Sequence, residues 1–146
     1  MATDTLYFED VNVGDALRPL TKNIKLVNLV MYQGATWDFH RYHYDLEFVQ
    51  GKGFDKPFLD GQMLGAYLGQ LLTDWIGVEG SIKKLGFRFT SFVFPGDVLT
   101  CKGEVSDKTR DDGRGVVECR LWIENQDGKR VLDGGAAQVL LPTRGT

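Results

Sequence analysis

Between Gly61 and Ile76 the chain runs for 16 residues with apolar side chains at nearly every helical repeat and glycine at 61, 65 and 69. The glycines are four apart and therefore share one face of a helix. Each costs roughly 1 kcal/mol against alanine in a helix interior, so their smallness must be offset by the close approach of another element. The expectation is a helix from Gly61 to about Ile76 laid against a sheet, with Met63, Leu64, Tyr67, Leu68, Leu71 and Leu72 filling the space around it. Gly77 supplies a C-terminal stop. The stretch is too short for a bilayer and carries Gln62, Gln70 and Asp74, so no membrane span is expected.

Past Gly80 the apolar period changes from helical to alternating. Ile82, Leu85, Phe87, Phe89 and Val93 lie in a first run, Val98 to Ser106 in a second, Val116 to Glu124 in a third and Arg130 to Leu141 in a fourth. Pro95-Gly96-Asp97, Asp111-Asp112-Gly113 and Asp127-Gly128 separate them, which reads as three successive hairpins and an antiparallel sheet. Upstream, Asp15 to Lys25 suits an extended segment whose Pro19 implies an edge position. Leu26, Val27, Val30 and Met31 then recur at helical spacing up to Gly34, and Trp37 to Phe58 has no clean period. At 146 residues the chain is expected to be one domain, 1–146, of the α+β class.

The net charge of -3 comes from 20 acidic and 17 basic residues spread along the chain, with no basic footprint for nucleic acid. Met-Ala-Thr-Asp-Thr at the start lacks the pattern of an export signal, so a cytoplasmic protein is expected. Cys101 and Cys119 fall on separate predicted strands, where a disulfide is conceivable but reduced core thiols are the expectation. His40 and His43 are the only histidines and no cysteine lies near them in sequence, so no metal site is expected.

Chemistry concentrates in Trp37-Asp38-Phe39-His40-Arg41-Tyr42-His43-Tyr44-Asp45, which holds both histidines and two carboxylates. A histidine passes protons near neutrality, and a nearby carboxylate orients it or holds a water beside it. This loop is followed by Pro57-Phe58-Leu59-Asp60-Gly61 and the glycine-rich helix. The arrangement resembles the MaoC-like family of acyl-CoA hydratases and dehydratases. That family's first motif, Asp-x-Asn-Pro-x-His with Asp two residues later, is matched by Asp38, His43 and Asp45, and its second by Phe54, Pro57, Phe58 and Gly61. His40 and Arg41 stand in place of the motif's Asn and Pro, and Asp60 in place of the histidine before Gly61. Within the family the stretch is most similar to the small hydratase subunits of steroid side-chain degradation, which also carry Thr-Asp-Trp at the helix end, here Thr73-Asp74-Trp75.

The resemblance implies a hot-dog fold, an antiparallel sheet wrapped around a long central helix. It implies a water held between Asp38 and His43, added to C3 of a 2-enoyl-CoA, with the Gly61 N–H facing the thioester oxygen. No cofactor is implied beyond the coenzyme A of the substrate. Asp60, Lys83, Lys84 and Arg88 are candidate substrate-binding residues, the basic three for CoA phosphates. Two other readings remain open: a thioesterase using Asp60 or Asp45, and a non-catalytic partner of a hydratase complex. Exposed sheet edges imply a homodimer, or a heteromer with a related hot-dog subunit.

Overall fold

Alternating apolar residues over the last third of the chain build the centre of one five-stranded antiparallel sheet. The computed structural model describes residues 5–145, so Met1 to Asp4, most of the stretch inspected above for an export signal, lies outside the described residues. The strands are β1 (Leu20–Asn23), β2 (Ser81–Phe89), β3 (Val98–Asp111), β4 (Arg114–Glu124) and β5 (Arg130–Leu141), in the order β1-β3-β4-β5-β2. Along β3 the residues Leu99, Cys101, Gly103 and Val105 point into the core, and their alternate neighbours do not. Asp112 and Gly113, with φ of 47° and 75°, make the two-residue turn between β3 and β4, the geometry that suits the twist of a hairpin. β3 reaches Asp111, five residues past the expected end at Ser106, because this turn keeps the ladder paired to Asp111–Arg114.

Two hairpins form, not three. β2 pairs with β5 at the far edge, Ile82 against Val139 and Phe89 against Leu132, since both sides of β3 are already taken by β1 and β4. The Pro95-Gly96-Asp97 turn brackets Ile24 instead: the Ile24 N–H donates to the Asp97 carbonyl at 2.9 Å and the Gly96 N–H to the Ile24 carbonyl at 2.8 Å. Val93 lies outside the strand, buried, with its carbonyl accepting the Leu59 N–H at 2.8 Å. β1 is an edge strand, as Pro19 implies.

The central helix, α3 (Gly61–Ile76), lies against the sheet in the hot-dog arrangement, with Leu64, Leu68, Leu71 and Leu72 buried. A Cβ on Gly65 would sit 2.1 Å from the Phe87 ring and one on Gly61 2.4 Å from the Phe89 ring, so these two glycines admit β2 to the helix. At Gly69 a Cβ would meet nothing within 4 Å, and no close approach accounts for it. The first helix, α1 (Leu26–Thr36), forms where its spacing predicts, but Leu26, Val27, Val30 and Met31 face outward, and Leu29 and Gln33 are its buried positions. The stretch that follows contains a 3-10 turn at Arg41–His43 and a short helix, α2 (Leu46–Gly51). Cys101 and Cys119 are free thiols, and burial pushes each up to about 12. They are out of register, Cys101 lying opposite Ile123 and Cys119 opposite Val105. No helix is long and apolar enough to cross a membrane among the described residues.

Candidate active site

The loop after α1 is shaped by its own short polar side chains. α1 stops at Trp37 in the left-handed conformation, φ 58°, and the Asp38 N–H returns to the Gln33 carbonyl at 3.1 Å. The Asp38 carboxylate then accepts the His40 N–H at 3.3 Å, and His40 Nδ1 accepts the Tyr42 N–H at 3.4 Å. Such local caps give the backbone an alternative to continuing the helix. Asp45 caps α2 by accepting the Phe48 N–H at 3.0 Å and pairs with Arg41 at 2.8 Å. The Phe48 N–H first, and then the Arg41 guanidinium, hold the Asp45 carboxyl below its ordinary range.

His43, at the end of the 3-10 turn, is half-buried and tied to the segment before α3. Its Nδ1 lies 2.8 Å from the Phe58 carbonyl, and the Phe58 N–H donates to the Tyr42 carbonyl at 3.1 Å. A carbonyl only accepts, so Nδ1 carries the proton. Nε2 is left as the basic nitrogen, with no protein partner among the described residues. Downstream, Asp60 is the N-cap of α3, its Oδ1 accepting the Gln62 N–H at 2.9 Å. The Gly61 N–H, in the first turn, has no protein acceptor among the described residues, and a helix N-terminus of this kind favours an anion.

His43, Asp60 and Gly61 come together in one cavity of about 220 Å³, walled by Phe58, Leu64, Phe89 and Phe92. Asp38 does not line it: the residue is exposed and its carboxylate is turned to the His40 N–H. Lys83, Lys84 and Arg88 are exposed on β2 and do not line it either, Arg88 standing opposite Asp133. A larger groove of about 720 Å³ at the other end of α3 includes Arg18, Asp74 and Trp75 but no histidine, so of the two it is the smaller cavity that holds a titratable imidazole.

In the aromatic wall, Phe89 and Phe92 are the part that sequence reasoning missed. Phe58 stacks on Tyr42 at 5.2 Å and meets Phe92 at 4.8 Å and Phe54 at 4.9 Å. The recurrence of phenylalanine at 87, 89, 92 and 94 was the available signal. Tyr32 of α1 also belongs near this end of α3. Burial, and secondly the charge of Asp60, push its phenol above the ordinary range, so it stays neutral.

Known proteins agree with this architecture. The R-hydratase PhaJ1 from Pseudomonas aeruginosa superposes with a TM-score of 0.86 at 24% identity, over 96% of this chain and 88% of its own. A chain of the ChsH1-ChsH2 complex from Mycobacterium tuberculosis gives 0.73 at 26% identity, over 91% and 98%. The (R)-specific enoyl-CoA hydratase of Aeromonas caviae is 26% identical over 137 residues, 92% of this chain and 98% of that one. The family model described as the MaoC like domain matches residues 11–126, and the chain belongs to that family.

Proposed function

We propose that this protein hydrates 2-enoyl-CoA thioesters to 3-hydroxyacyl-CoA, or runs the reverse dehydration, with Asp38 and His43 as its catalytic pair. The observation that carries the reading is His43, held through Nδ1 by the Phe58 carbonyl, in the same cavity as the Gly61 N–H, which has no acceptor among the described residues. In the forward direction His43 Nε2 takes a proton from a water that Asp38 helps to hold, and the water oxygen bonds to C3. The C2–C3 double-bond electrons move toward the thioester, and its oxygen gains negative charge opposite the Gly61 N–H. The proton on Nε2 then passes to C2, which restores the neutral imidazole. Water and proton transfer suffice, and coenzyme A enters only as part of the substrate. Similarity to the Aeromonas caviae hydratase supports this class of reaction.

For Asp38 to serve, its carboxylate must leave the His40 N–H or share it and turn toward His43 from an exposed loop outside the cavity. A second hot-dog chain, identical or related, is part of the proposal. β2 and β1 leave open sheet edges, α1 shows its apolar stripe to solvent, and one similar structure is a complex of two proteins. Lys83, Lys84 and Arg88, exposed on β2 and in no ion pair among the described residues, are proposed contacts for CoA phosphates.

A thioesterase on this fold would direct Asp60 or Asp45 at the thioester carbon. The discriminating experiment incubates the protein with crotonyl-CoA and follows enoyl absorbance alongside free thiol. The hydratase reading expects the absorbance to fall with no thiol released. Thiol release with the double bond intact would replace it with the thioesterase.

A further inference from the structure

We infer that Asp60 is a specificity-determining residue of this site, its carboxylate accepting the amide N–H of the cysteamine arm that carries the thioester. The inference rests on the reaction proposed above and adds a group that the site reads in its substrate.

Asp60 is the one carboxylate that shares the cavity with His43 among the described residues. Oδ1 is committed to the Gln62 N–H at 2.9 Å, while Oδ2 has neither a hydrogen bond nor an ion pair to another described residue. Phe58, Leu59, Leu64, Phe89 and Val93 make most of the cavity wall apolar, and its side-chain donors, His43 and Ser91, form no hydrogen bond with Asp60 among the described residues. A half-buried carboxylate oxygen in such surroundings gains most from a donor that the ligand brings.

Which donor that is follows from the neighbour in sequence. Asp60 precedes Gly61, whose free N–H faces the thioester oxygen in the proposed reaction, and their Cα atoms are only about 3.8 Å apart. The Asp60 carboxylate therefore stands next in the chain to the group that would meet the thioester oxygen. On the acyl side of an enoyl-CoA the nearby atoms are carbon and hydrogen alone. On the sulfur side an amide N–H stands two methylenes from the sulfur, and it is the closest donor in an enoyl-CoA whose acyl chain is hydrocarbon.

The same contact removes an electrostatic objection. A bare carboxylate beside a developing enolate is unfavourable. An N–H bonded to Oδ2, together with the Gln62 N–H on Oδ1, draws that charge away from the thioester oxygen. Tyr32, kept neutral by burial and by Asp60 itself, adds no second negative charge.

The test uses two small thioesters, S-crotonyl-N-acetylcysteamine and S-crotonyl-2-mercaptoethyl acetate, which differ only in an amide N–H exchanged for an ester oxygen. Activity of the wild-type protein on crotonyl-CoA is measured first, and its absence would sink the hydratase reading itself. Given that activity, kcat/KM of the wild type is expected to fall about tenfold or more from amide to ester, the size of a hydrogen bond to a charged acceptor. In Asp60→Asn, which keeps an N-cap oxygen, the amide thioester should drop to the level of the ester and the difference between them shrink below about threefold. Equal sensitivity to the exchange in both proteins would overturn the inference. So would a wild type that treats the two thioesters alike, a result that stands even if the variant does not fold.

Discussion

α3 and α1 both carry apolar residues at helical spacing, and they use them in opposite ways. Along α3 the residues Leu64, Leu68, Leu71 and Leu72 are at most 1% exposed, packed against the sheet. Along α1 the residues Val27, Val30 and Met31 are 55%, 48% and 66% exposed, while of the two positions turned inward, Leu29 and Gln33, the second is 1% exposed and has no partner for either end of its amide among the described residues. Trp37 and Phe39, which follow α1, are exposed as well and pack edge-on at 5.2 Å. A stripe of that kind is uncommon on a surface that stays in water. One half of the molecule, α3 and the sheet, buries its apolar residues within the chain. The other, α1 and the loop to Asp45, leaves apolar side chains exposed and holds both histidines.

The division predicts where substitutions act. His43→Ala, in the open half, should lower the hydration rate about 100- to 10,000-fold, the usual contribution of a proton-transfer group. Its melting temperature should stay close to that of the wild type, and a large drop would place His43 in the core's economy rather than in catalysis. Leu68→Ala, in the packed half, should cost about 2–5 kcal/mol of stability in denaturant titration, with kcat little changed in the fraction that remains folded. Gln33→Met removes an unpaired buried amide at similar volume and should be neutral or stabilise by about 1 kcal/mol; clear destabilisation would mean that the amide has a partner in the assembled protein. Met31→Ser should change the stability of the isolated chain by less than about 0.5 kcal/mol. If the stripe is an interface, the same change should shift sedimentation toward the monomer, and an unaltered oligomeric state would remove α1 from it.

Much of the packed half was legible because its signals are local. The alternation in 98–141 and the Asp112-Gly113 turn fix β3, β4 and β5, and the spacing of Gly61 and Gly65 announces the contact with β2. The partner of β2 was not legible: Pro95-Gly96-Asp97 marks a reversal of direction, but a turn does not name the strand that follows, and the β2–β5 ladder joins residues about 50 apart. For α1 the periodicity identified a helix without saying which face water sees, since burial is decided by neighbours distant in sequence. In the site, His43 and Gly61 could be read from short motifs, as could the concentration of charge between Asp38 and Asp45. The aromatic wall as a whole could not, because Phe58 precedes α3 while Phe89 and Phe92 lie at and just past the end of β2, and these two segments meet only in the fold. Nor could the turning of the Asp38 carboxylate to the His40 N–H, outside the cavity.

The proposed reaction depends on His43 offering a bare Nε2 because the Phe58 carbonyl holds the proton on Nδ1. Long-range proton–nitrogen NMR of the imidazole in the neutral protein reads this directly. Signals of the Nδ1–H tautomer for His43, giving way to the other tautomer or to exchange averaging only when the loop is disrupted, are the predicted result. A resting His43 protonated on Nε2 would contradict it, since that ring would have no lone pair to turn toward the water it is said to activate.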